Sequence, residues 1–324
     1  MEACVFVLRS EIKYVHQDLQ IAKGRAITFV PMKKLAYLII VVIVLCGCEK
    51  TIHFQPNNTT PLLVVDASIE SGQPPFIILS KSLDYFSKIT PEILAASFVH
   101  NADVRISNGT VTHKLREYAY PNVAGYTLYY YTIDSTNLGT AVIGQFNTTY
   151  QLKIVAENVE YTASTTIPPL SKKIDSLWWK PAPDNPDTSL VVLMSRVTDP
   201  PGYGNYIRYF TKVNDSLFFP GIASVFDDQI VDGTTYEIQV EQGVNRNEDI
   251  DLENYSFFHR GDTVTVKFTN IDKATFDFWR TMEFSYQSIG NPFSSPTKVL
   301  GNVKGALGYF GGYAVQYKSL VIPK

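Results

Sequence analysis

From Leu62 to the C-terminus, apolar residues fall at every second position or in short runs, and each run stops at turn residues. Alternate side chains of an extended chain face opposite sides, so this pattern specifies strands. Leu62–Ile69 and Phe76–Ser80 flank Ser-Gly-Gln-Pro-Pro. Asp103–Ser107 and Val111–Tyr118 flank Asn108-Gly109, where a tight primed turn needs positive φ. Tyr126–Ile133 alternates as a half-exposed strand does, and Tyr150–Ala156 and Val159–Ser164 pair across Glu157-Asn158. About seven short strands in roughly 105 residues is the cadence of an immunoglobulin- or fibronectin-like sandwich, predicted here over 62–170. Tyr150 heads its strand, where such sandwiches place a tyrosine corner. Pro168-Pro169 closes the unit, since neither residue can donate to a ladder.

A second β-rich domain is expected over 171–324. Its strands are Ser176–Lys180, Leu190–Val197, Tyr206–Val213, Tyr236–Glu241 and Thr263–Thr269, with a closing strand or hairpin in the Gly- and aromatic-rich stretch 301–317. One helix stands out near 272–289. Asp272 is placed to cap it, Phe276, Trp279, Met282, Tyr286 and Ile289 recur at helical spacing, and Gly290-Asn291-Pro292 ends it. The expected fold is therefore mainly β.

Ahead of these domains, Lys33-Lys34 precede eleven apolar residues, Leu35–Leu45, and then Cys46-Gly47-Cys48. Eleven residues of helix cover only about half of a ~30 Å hydrocarbon core, but they suit the apolar region of a signal peptide. Leu45, Gly47 and Cys48 stand as in a bacterial lipobox, so 32–47 is read as a lipoprotein signal peptide and Cys48 as the acylated N-terminus. Residues 1–31 carry acidic groups where a secretory leader should begin, and are read as a start-site artefact. Residues 48–61 are polar and turn-rich, a tether. The six basic and three acidic residues before Cys48 would leave with the leader, so 22 basic and 28 acidic groups remain, with no basic excess for nucleic acid. Cys4 and Cys46 leave as well, which excludes cysteine nucleophiles and cysteine-ligated metals.

The Leu63–Ile69 opening, Gly261–Val266, Ile271-Asp272-Lys273, Phe276–Trp279, Asn291–Ser294 and the tail through Leu307–Phe310 together resemble a family of Bacteroidetes lipoproteins catalogued as domain of unknown function 4249. The resemblance spans almost all of 48–324. It implies an outer-membrane lipoprotein, encoded near TonB-dependent receptors, with no assigned activity or catalytic residues.

The residues themselves point to no enzyme. His53, His100, His113 and His259 form no close ligand pair, and neither a nucleophile elbow nor a phosphate-cradling loop occurs. The expectation is no cofactor and no metal. The acidic run Glu248, Asp249, Asp251, Glu253, with Asp227-Asp228, reads as solvated loops, with calcium binding as the alternative. Trp178-Trp179 put one ring on each face of a strand, and at least one of Tyr129, Tyr130 and Tyr131 must face outward. Tyr129, Tyr131 and Trp178 are taken as the candidate contact surface. Asp-Ser/Thr-apolar triplets at Ser135, Ser176, Ser216 and Thr263 resemble O-glycosylation sites of Bacteroidetes envelope proteins. The expected function is a non-enzymatic, lipid-anchored outer-membrane protein that binds a partner, a TonB-dependent receptor, in nutrient uptake; which membrane face it occupies is left open. The alternatives are an envelope adhesin or structural module, and a glycan or peptide hydrolase using Asp227, Asp228, Asp249 and Asp251.

Overall fold

The computed structural model describes residues 60–83, 88–123, 125–289, 291, 294, 295 and 297–324. The expected start-site artefact, signal peptide, Cys48 and all of the tether up to residue 59 lie outside the described residues.

The first seven strands are β1 (Leu63–Glu70), β2 (Phe76–Lys81), β3 (Asp103–Ser107), β4 (Thr112–Val123), β5 (Tyr126–Ile133), β6 (Thr148–Ala156) and β7 (Val159–Ile167). Their order is β1-β2-β5-β4 on one side and β3-β6-β7 on the other. Labelled A to G along the chain, this is ABED against CFG, the constant-type immunoglobulin order. The long β4 joins the two sides, pairing with β3 at Thr112–Lys114 and with β5 from Leu115 onward. Alternation does the packing. Leu63, Val65, Ala67 and Ile69 of β1 all point inward, and Val104, Ile106, Leu152 and Ile154 meet them from the other side.

The turns follow the sequence in part. Glu157 and Asn158 both have positive φ (51° and 63°), so the primed turn lies between β6 and β7. At Asn108-Gly109 the hairpin forms, but only Gly109 has positive φ, and the Asn108 carboxamide closes the loop by accepting from Thr110 N and Val111 N. Tyr150 makes the corner: its hydroxyl accepts from Gln145 N at 2.7 Å and donates to the Ile143 carbonyl at 3.2 Å.

The rest of the chain builds a second pair of sheets. Strands β8 (Lys173–Pro181), β9 (Leu190–Thr198), β12 (Thr235–Val240) and β13 (Phe258–His259) form one, with β9 central. Facing it are β10 (Tyr206–Val213), β11 (Phe219–Phe226), β14 (Thr263–Ile271) and part of β15 (Leu307–Val321). A second core occupies part of the space between, with Val191, Leu193, Phe258, Val264 and Val266 fully buried.

The two cores do not divide at one point in the chain: the first takes in Val303, Phe310 and Ala314 from beyond residue 171, and β15 serves both. Residues 307–313 pair in parallel with β1, and 313–321 pair antiparallel with β14. The stretch expected as a closing strand or hairpin is thus one strand that completes both sandwiches, and Phe310 and Ala314 belong to the first core. Gly308 makes the approach to β1 possible. Its φ is +97°, and a Cβ there would sit 1.9 Å from the Val65 carbonyl oxygen.

Among the described residues, two α-helices accompany the strands. Helix α1 (Pro91–Ser97) is capped by Thr90, whose hydroxyl accepts from Ile93 N. Helix α2 (Lys273–Gln287) is the expected helix, and Asp272 caps it through Thr275 N at 2.9 Å. Its buried face is rotated from the expected one. Phe276 and Phe278 are buried, Trp279 and Met282 are partly so, and Tyr286 and Ile289 are exposed because the last turn passes beyond what the sheet covers.

Candidate functional site

The second sandwich is open on one side. The edge strands β11 and β12 do not pair, and β10 and β11 shift register between Arg208 and Phe210. Between the sheets lies a cavity of about 790 Å³. Ile174, Val197, Ile207, Val266 and Phe268 line its inner part. Ile230, Ile238 and Phe226 stand at its mouth, 96%, 43% and 41% exposed. Apolar side chains that water can reach around a cavity of this size are what a small-molecule site looks like, roughly 300–1,000 Å³ with few polar groups.

The polar side chains of its lining are Ser195, Asp227, Gln239, Glu241 and Arg280, together with Tyr209 and Tyr236. Burial, aided by the Glu241 charge, pushes the Tyr209 phenol well above its ordinary value, so it stays a neutral hydrogen-bonding group. Gly221 gives it room, since a Cβ there would lie 2.1 Å from the Tyr209 oxygen. Glu241 accepts from the Tyr255 hydroxyl at 3.0 Å. Arg280 lies with its guanidinium 5.3 Å over the Phe276 ring and 3.8 Å from Asp277.

The β11 edge is sealed by side chains. Arg246 donates to the Gly221 and Ile222 carbonyls, and Gln287 also reaches the Ile222 carbonyl. Glu283, buried on α2, accepts from both the backbone N–H and the hydroxyl of Ser224. Arg208 Nε bonds the same hydroxyl at 3.1 Å, with its guanidinium 3.4 Å over the Trp279 ring. Satisfied in this way, β11 cannot take a further strand along Gly221–Ser224, and the opening leads to the cavity rather than to a strand-pairing site.

A family model described as Domain of unknown function (DUF4249) matches residues 49–319. The chain belongs to the DUF4249 family. A comparison with curated proteins finds no match.

In this DUF4249 chain the residues expected to form a contact surface are dispersed. Tyr131 is not available: it is 2% exposed, and its hydroxyl bonds Ala102 N, the Val99 carbonyl and Glu117. It shares a face with Ile133, which packs on the first core. Tyr129 is half-buried, packed 5.7 Å from Phe98 and 4.4 Å from His100. Tyr130 is the outward ring, stacked between Phe76 at 4.9 Å and Tyr118 at 6.0 Å. Trp179 packs on the second core with Arg260 above it, and Trp178 lies half-buried on the opposite face under Lys180. Ser135, Ser176, Ser216 and Thr263 are all exposed.

The acidic residues divide as well. Asp249 and Asp251 are exposed, and Asp251 caps its own turn through Glu253 N. Asp227 lines the cavity, whereas Asp228 is buried and accepts from Gly204 N, Asn205 N and the Asn205 side chain. His113 is buried between Thr140 and Asp134 N, and burial lowers its pKa. Among the described residues, no helix is long and apolar enough to cross a membrane.

Proposed function

We propose that this DUF4249 chain is a non-enzymatic, lipid-anchored outer-membrane protein that holds a small apolar ligand between the sheets of its second sandwich. In this reading it hands that ligand to a TonB-dependent receptor during nutrient uptake. The observation that supports ligand capture is the open cavity of about 790 Å³, walled by apolar side chains of both sheets and rimmed by few polar groups. The lipobox at Leu45–Cys48 and the family resemblance support the anchor and the receptor.

The test is titration of the purified protein with a fluorescent apolar probe, competed by fatty acids and other apolar nutrients. Ala223 lines the cavity and is exposed, so Ala223→Trp adds bulk at the opening without opening a hole in the core. Saturable probe binding that falls at least tenfold in Ala223→Trp, with unchanged thermal stability, is expected. Equal binding by the two proteins would refute the cavity as the site. Consistent recovery of the full-length protein from outer membranes without any receptor would refute the partner.

A further inference from the structure

One polar group of the cavity lining is buried and has nothing to bond. Tyr209 stands on the inward face of β10 and is 7% exposed, yet among the described residues its hydroxyl has no hydrogen-bond partner. The other tyrosines buried among the described residues all bond theirs. Tyr131 does so to Ala102 N and the Val99 carbonyl, Tyr150 to Gln145 N and the Ile143 carbonyl, and Tyr313 donates to Tyr309. Most of the remaining polar lining is occupied as well. Ser195 Oγ donates to the Ile238 carbonyl at 3.3 Å, Tyr236 faces the Lys172 ammonium, and Glu241 Oε2 accepts from Tyr255.

The orphaned hydroxyl is also placed to meet a guest. Its oxygen lies against Gly221 on β11, one lip of the opening, and it feels the charge of Glu241, which follows β12 on the other lip. The apolar inner wall begins behind it. Burial keeps the phenol neutral, so it has a proton to donate and needs an acceptor.

Charge narrows what that acceptor can be. Asp227 and Glu241 both line the cavity, and among the described residues neither forms an ion pair; Arg280, the cation of the lining, lies 3.8 Å from Asp277. A carboxylate head would bring a further negative charge into this enclosed rim. An ammonium head offers donors only, which leaves the Tyr209 proton unbonded. A hydroxyl both accepts and donates. It answers Tyr209 with its lone pair and gives its own proton to Glu241 Oε1, the oxygen that Tyr255 does not take.

We propose that the cavity selects an uncharged alcohol, with its hydroxyl bonded to Tyr209 and Glu241 near the opening and its apolar body running inward along Ile174, Ile207 and Val266. This rests on the cavity being a ligand site and adds which head the ligand carries.

The test is displacement of the fluorescent apolar probe at neutral pH by decanol, decanoate, decylamine and chlorodecane, which share one chain and differ in the head. In the parent, decanol should displace the probe at lower concentration than decanoate or decylamine. Tyr209→Phe keeps the ring and has no internal hydrogen bond to lose, so it should melt no lower than the parent. It should reduce the ratio of decanol to chlorodecane affinity about fivefold or more. Glu241→Gln keeps an acceptor for Tyr255 but removes the charge, and should raise decanoate affinity relative to decanol about threefold or more. Saturable probe binding with a decanol preference unmoved in Tyr209→Phe, or with decanoate the tightest ligand of the parent, would overturn the alcohol assignment and leave the cavity standing as a site. A destabilised Tyr209→Phe would overturn it too, by showing that the hydroxyl is bonded within the protein. No saturable probe binding at all would overturn the cavity reading and the alcohol together.

Discussion

Single side chains decide how firmly the first sandwich closes. Tyr150 is fully buried, and its hydroxyl ties β6 to the segment before it. Tyr150→Phe keeps the ring but leaves Gln145 N without that acceptor, at a cost of about 1–3 kcal/mol measured by urea unfolding. Glu117 carries a pH signature. Burial raises its pKa, but donation from Asn101 N, His100 and Tyr131 together outweighs burial and holds it below the ordinary 4.5. A lowered carboxyl contributes stability that is complete above the unfolded value and is lost as pH falls through the folded one. Stability should therefore drop below about pH 4.5, and Glu117→Gln should flatten that limb of a melting-temperature profile. Tyr150 was legible from its place at the head of a strand. Tyr131 was misread because three consecutive tyrosines carry no phase of their own. The phase came from Ile133, which faces the first core and so turns Tyr131 inward and Tyr130 outward.

At the scale of elements, the outcome turned on whether the signal was local. Asp272 and the helical spacing located α2, and alternation located most strands. Helix α1 has only seven residues, too few to show a period, although Thr90-Pro91 is a start signal. Strand β11 was missed because Pro220-Gly221 breaks its pattern; a proline is tolerated there because β11 is an edge. The parallel pairing of β1 with β15 joins segments more than 200 residues apart and leaves no trace in either alone. Gly308→Ala tests that join. The substitution places a methyl group against the Val65 carbonyl and strains a positive φ, so unfolding should cost about 3 kcal/mol or more. A melting temperature equal to that of the parent would mean that β1 and β15 are not held as described.

For the whole molecule, the fold class was legible and the cavity was not. Alternation tells which face of a strand is apolar, but the same pattern serves a packed core and a cavity wall. Only the failure of β11 and β12 to meet decides between them. The proposed anchor is an independent matter that rests on the sequence of residues 32–48 alone. Two or three acyl chains on Cys48 would bury tens of CH₂ groups at about 0.8 kcal/mol each, well beyond the marginal hold of one chain. Cys48→Ser should therefore abolish palmitate labelling and strand an unprocessed precursor or release soluble protein. Equal labelling and membrane retention would show that Cys48 is not the anchor. Native mass spectrometry of the full-length protein, drawn gently from outer membranes beside Ala223→Trp, bears most directly on what the molecule is for. The parent should carry a non-covalent apolar molecule that the Ala223→Trp protein lacks; identical masses apart from the substitution itself would contradict a ligand-carrying role for the cavity.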